Sequence, residues 1–196
     1  AISAYMEYTQ GHAFGLYGGH FGDYDYTEEY KDVKLPWTEN TFVNFRPTDT
    51  PLMESGVAEI LGGSEGYSGF RDGDKTQDHS YVLIDIPQGM KNFLDTEVYG
   101  AGSNNGLGMR YSAAETCGDS FDLDKASAII DLLHGQIGAV YGGAHNEGVT
   151  RRTVVNVPAT STIDIDNIFG GAYGTQVLPP CEVYEFHVNY RSEAGT

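Results

Sequence analysis

The chain has few cysteines, few basic residues and no long apolar run. Cys117 and Cys181 are its two cysteines in 196 residues. Two are too few for a disulfide scaffold, and no Cys-x-x-Cys or Cys/His spacing of the zinc kind occurs. Two readings of the pair stand side by side: a Cys117–Cys181 bond, which an extracellular setting permits, or two half-buried thiols. Lys and Arg number 11 against 28 Asp and Glu, for a net charge of −17. That charge repels nucleic acid and anionic membrane surfaces, so neither is expected as a partner. No apolar run approaches the ~20 residues of a spanning helix, so membrane insertion is not expected. The six histidines show no His-Glu-x-x-His spacing, and the glycines form no Gly-x-x-x-x-Gly-Lys phosphate loop. The first residue is Ala1, and no charged and then apolar leader follows it. We therefore expect a fragment or processed form of a longer chain.

What the sequence does have is 26 Gly and 14 Tyr, with 40% hydrophobic residues. The length suits one domain, 1–196, with a real core. Gly, Tyr and Asp in excess over Lys and Arg suggest an extracellular or cell-surface β protein.

A short motif recurs five times: an aliphatic residue, usually an aromatic, then two small residues. It reads Leu16-Tyr17-Gly18-Gly19, Ile60-Leu61-Gly62-Gly63, Val98-Tyr99-Gly100-Ala101, Val140-Tyr141-Gly142-Gly143 and Ile168-Phe169-Gly170-Gly171. After each copy comes a β-branched or aromatic run carrying one Asn or Asp, at Asn44, Asp85, Asp131, Asn156 and Asn189. Pro or Gly often follows, at Pro47, Pro87, Gly135 and Pro158. From each of the first four Asn/Asp positions to the start of the next small-pair motif the distance varies between 9 and 16 residues. From motif to Asn/Asp it varies between 16 and 33 residues. One side of the repeat is thus fairly constant and the other carries inserted loops, as in a stacked array.

Runs of Val, Ile, Thr and Tyr four to six residues long suit strands rather than helices. Such a unit cannot bury its apolar side alone, whereas stacking on copies of itself can. The expected fold is all-β: a parallel β-helix (β-solenoid) of about five irregular coils with inserted loops on one face. A β-sandwich of the same short strands is the alternative. Leu16, Ile60, Val98, Val140 and Ile168 should point inward, and the residue after each should form a ladder on the opposite face. Asn44, Asp85, Asp131, Asn156 and Asn189 should form a second ladder, in which amides can bond one another but ionised Asp can only accept.

At these motifs the chain resembles long adhesin-like surface proteins of gut bacteria, which carry many Val-Tyr-Gly-Gly and Ile-Phe-Gly-Gly-Ala-Tyr-Gly repeats. The stretch from Val140 to Tyr190 carries most of the likeness. A fainter resemblance links Gly142-Gly143-Ala144 and Gly170-Gly171-Ala172 to polymorphic outer-membrane autotransporter passengers; Phe42-Val43-Asn44 is one residue short of their Phe-x-x-Asn motif. The resemblance implies a secreted or surface-anchored solenoid that adheres or builds structure, and it implies no catalytic residue.

Two loops offer ligand chemistry. Asp72, Asp74, Thr76 and Asp78 place oxygens at alternate positions, as a calcium loop does, but without the glycine and distal Glu of an EF-hand. The other reading is a solvated acidic loop. Asp119, Asp122 and Asp124 form a weaker cluster of the same kind. Tyr24, Tyr26, Tyr30 and Trp37 lie among Asp23, Asp25, Glu28 and Glu29. Rings that stack on sugars beside carboxylates that accept hydroxyl bonds suit a glycan, and a satellite apolar cluster is the other reading.

Catalytic residues are not expected. Among 28 acids a hydrolase-like pair can always be found, and a polyuronate would be repelled. The expected function is a structural or adhesive β-solenoid, able to assemble with itself end to end or laterally or to hold a surface glycan. The alternatives are a carbohydrate-binding module and a β-helix enzyme acting on neutral polysaccharide. No cofactor is expected beyond the calcium reading.

Overall fold

A computed structural model of the chain describes residues 3–11, 13–19, 40–48, 57–64, 79–90, 93–103, 127–146, 150, 152–174 and 185–190. Among them are eleven strands and no helix: β1 Ser3–Tyr8, β2 Ala13–Tyr17, β3 Asn40–Phe45, β4 Val57–Leu61, β5 His79–Asp85, β6 Glu97–Tyr99, β7 Ser127–His134, β8 Gln136–Tyr141, β9 Arg152–Asn156, β10 Asp164–Phe169 and β11 Glu185–Asn189.

The strands alternate between two sheets. The odd-numbered ones form a six-stranded sheet in the order β1-β3-β5-β7-β9-β11, and the even-numbered ones a five-stranded sheet in the order β10-β8-β6-β4-β2. Each strand pairs in parallel with the next but one along the chain. Parallel neighbours cannot be joined by a tight hairpin, so the chain visits the other sheet between them.

Register lines like residues up. In the five-stranded sheet Leu16 pairs with Ile60, Ile60 with Val98, Val98 with Val140, and Val140 with Ile168. Ile60, Val98 and Val140 are fully buried, while Leu16 and Ile168 at the ends are half-buried against the same core. In the six-stranded sheet Val43, Val82, Ile130 and Val155 form the facing column, and all four are fully buried. Each such side chain contributes about 1.5–3 kcal/mol of burial. At one edge of this core Tyr8 stacks on Phe45 with ring centres 4.8 Å apart, and Phe93 meets Phe45 edge-on at 5.0 Å.

The small pair lets the backbones close. A Cβ added to Gly62 would collide with the carbonyl of Gly100, one at Gly100 with that of Gly142, and one at Gly142 with that of Gly170. The buried Thr41, Ser80 and Thr153 hydroxyls donate to the Gly62, Gly100 and Gly170 carbonyls, so the polar atoms of this row are satisfied. Gly135, at φ 108°, makes the corner between β7 and β8.

The expected Asn/Asp ladder needs one correction. Asn44 pairs with Leu83, Leu83 with Asp131, Asp131 with Asn156 and Asn156 with Asn189. Asp85 lies two residues further along β5, and opposite it, after a register shift, stands His134. A two-residue slip keeps every side chain on its face, so hydrophobic alternation alone does not distinguish the two registers. The observed one pairs Val43 with Val82 and sets the Asp85 carboxylate between Arg46 and His134.

Candidate functional site

The second ladder of the five-stranded sheet is aromatic. Tyr17, Leu61, Tyr99, Tyr141 and Phe169 follow one another in register. Tyr99 and Tyr141 stack at 5.0 Å and 8°, and Tyr141 and Phe169 at 4.9 Å and 6°. Beside them Glu59 and Glu97 are paired across β4 and β6. Tyr17 donates its hydroxyl to Glu59 at 2.6 Å and Tyr99 to Glu97 at 2.7 Å. Burial, the bond to Glu97 and the negative charge around it push the Tyr99 phenol far above its ordinary range. These carboxylates are thus engaged by phenols of the column, from the half-buried Tyr17 and the buried Tyr99.

On the other sheet Asn189 donates to Asn156 and Asn156 to Asp131, each at 2.8 Å. Tyr81 donates to the second Asp131 oxygen at 2.7 Å. The carboxylate thus ends an amide chain as pure acceptor. Burial, the bond to Asp131 and its charge push the Tyr81 phenol up to about 12, with Arg46 opposing.

One corner brings together Arg46, Asp85 and His134. Arg46 follows β3, Asp85 ends β5 and His134 ends β7, so three successive strands of one sheet present them side by side. Asp85 accepts from His134 Nδ1 at 2.7 Å and lies 3.4 Å from Arg46 Nε. With its Nδ1 proton committed to Asp85, a neutral His134 has Nε2 as an acceptor. These residues, with Thr48, Gln88 and Thr162, line an open groove of about 680 Å³. Gln88 and Thr162 also line an adjoining hollow of about 320 Å³, where Gln136 donates to Asp164 at 3.0 Å. The groove carries a guanidinium, a carboxylate, an imidazole, an amide and two hydroxyls among its described lining residues. Its donors and acceptors match the chemistry of a polyhydroxyl ligand.

The sequence expectations for ligands fall elsewhere. Tyr24, Tyr26, Tyr30 and Trp37, Asp72, Asp74, Thr76 and Asp78, the Asp119, Asp122 and Asp124 cluster, and Cys117 and Cys181 all lie outside the described residues. Among the described residues no group of three or more His, Cys, Asp or Glu is placed to hold a metal ion. Among them, too, no helix is long and apolar enough to cross a membrane. The groove residues were missed as a set, although a signal existed: Arg46 precedes Pro47, Asp85 stands two before Pro87 and His134 precedes Gly135. All three occupy the corner position of the repeat.

No family model, no curated protein and no solved structure matches the chain.

Proposed function

We propose that the chain is a secreted or cell-surface, adhesin-like β-solenoid whose role is structural or adhesive, without catalysis. Its partners are copies of itself, end to end or side by side, or a surface glycan. The observation that carries this is the register: like residues stand in line from strand to strand through both sheets, and the strands alternate between sheets along the chain. A rising coil produces that order. Immunoglobulin-type sandwiches pair their strands antiparallel, whereas every pairing among the described strands is parallel.

The corner groove favours glycan binding as the adhesive arm, because Arg46, Asp85 and Gln88 offer the donors and acceptors that sugar hydroxyls need. Electron microscopy with sizing chromatography, followed by a glycan array, tests the proposal. Filaments or lateral assemblies support the structural arm, and a monomer that binds a glycan supports the adhesive one. A monomer that binds no glycan and cleaves a neutral polysaccharide overturns both in favour of a β-helix enzyme.

A further inference from the structure

The corner groove and the hollow beside it share Gln88 and Thr162. The hollow exists because β6 is short. β8 begins at Gln136, whereas Glu97, the first residue of β6, pairs with Ala139, so no residue of β6 stands beside Gln136. Past the strand ends the backbones stay bonded. Ile86 donates to the His134 carbonyl at 3.0 Å, Thr162 to that of Leu133 at 2.9 Å and Asp164 to that of Gly135 at 2.8 Å. Pro87 to Met90 form a tight turn, closed by the Met90 amide on the Pro87 carbonyl at 3.2 Å. Gly89, at φ 90°, takes the third position, where a type II turn requires a positive φ. The turn holds the exposed Gln88 between groove and hollow.

The polar groups follow the direction in which the strands stack. Arg46, Asp85, His134 and Thr162 stand on successive rungs, three intervals of ~4.8 Å or roughly 14 Å in all. One sugar ring is shorter than that, and a short oligosaccharide is not. Charge differs between the two ends. In the groove the Asp85 carboxylate lies between Arg46 and His134. In the hollow the charged side chain among the described lining residues is Asp164, which is exposed and accepts from Gln136 at 3.0 Å. No Lys or Arg is among those residues. The net charge of −17 adds to the negative field. A ligand carboxylate is repelled at this end, and an ammonium is drawn in.

We propose that groove and hollow form one track for a linear oligosaccharide laid across the rungs, with a free amino sugar in the hollow. This rests on the adhesive arm of the reading above and names the class of ligand. The ammonium meets Asp164. Gln88 and Thr162 bond the hydroxyls of the middle unit, and Arg46 and Asp85 those of a neutral unit in the groove. The bonded backbones fix the floor in advance, so the protein loses little freedom on binding. Exposure limits what Asp164 adds, since one exposed ion pair is worth less than about a factor of ten. Hydrogen bonds along the track therefore supply most of the affinity, and the carboxylate supplies the preference.

The test uses the whole chain and four probes: the β-1,4-linked tetramers of glucose, glucosamine and N-acetylglucosamine, and glucosamine itself. Titration calorimetry is run at low ionic strength and slightly acidic pH, where the amine is protonated and carboxylates are ionised. We expect the glucosamine tetramer to bind about three- to fivefold tighter than the glucose tetramer, and glucosamine at least about tenfold weaker than its tetramer. Asp164→Asn, which keeps an acceptor for Gln136, should bring the two tetramers within about twofold of each other. Gln88→Ala, at an exposed turn, should weaken both tetramers severalfold. Equal binding of the two tetramers, tighter binding of the N-acetylated one, or a monomer as good as its tetramer overturns the inference and leaves glycan binding standing. So does a preference that survives Asp164→Asn, which is then general attraction to an acidic chain, or binding indifferent to Gln88→Ala. Binding of none of the probes also overturns it. A hit elsewhere on the glycan array then keeps the adhesive reading, and an empty array removes that as well.

Discussion

Tyr141 lies flat on Tyr99, ring centres 5.0 Å apart and planes 8° from parallel. Tyr99 is fully buried, so Tyr99→Ala removes both its burial and the stacking surface for Tyr141. The expected loss is about 3–5 kcal/mol, as for other large aromatic truncations. Phe169→Ala, at the half-exposed end of the same column, should cost about 1 kcal/mol or less. Urea denaturation of the two variants measures the contrast, and equal losses would contradict the column.

Gly62→Ala and Gly100→Ala should each destabilise by about 1–3 kcal/mol, the usual range for forcing a methyl into closed packing. The obstacle is a backbone carbonyl of the next strand, which no rotamer change can move aside. Melting temperatures well below that of the parent chain would bear this out.

Asp131 collects two donors, from Asn156 and from Tyr81. A double-mutant cycle between Asp131→Ala and Asn156→Ala should give a coupling of about 1 kcal/mol. A coupling near zero would mean that the half-buried ladder exchanges its bonds for water at no loss.

The Tyr81 phenol titrates at about 12 in the folded chain, above its ordinary value of 10.0. Between those values the folded state holds a proton that the unfolded state releases. The contribution is complete below pH 10, and stability falls as pH rises through about 12. Tyr81→Phe should therefore flatten the alkaline limb of a stability–pH curve. An unchanged limb would show that other tyrosines carry it.

Arg46 and Asp85 form a partly exposed pair, with side chains 48% and 30% exposed, so Arg46→Ala should change stability by about 1 kcal/mol or less. If the corner groove holds a glycan, the same substitution should weaken binding at least tenfold, as titration calorimetry with an array-selected sugar would read. Unchanged affinity would move the adhesive site away from this corner.

Much of the architecture was legible in the residues. The inward column from Leu16 to Ile168 and the aromatic column beside it stand in register as the repeated motif implied. The stretch around Ala128-Ile129-Ile130 is a strand, as its match to the repeat suggested, although its composition would also suit a short helix. The exception, Asp85, shows the limit of such reading. Period-two alternation cannot tell a register from one shifted by two.

The sequence by itself determined the strand type, the inward face of the five-stranded sheet and the places where backbones must close. All three follow from local chemistry: β-branched residues, alternation and the absence of a Cβ. Only the tertiary structure decided which charges meet. Arg46, Asp85 and His134 are separated by dozens of residues of irregular length, and no local rule sets which of them share a corner. That follows from the register of three strands, which is fixed by how the whole core packs.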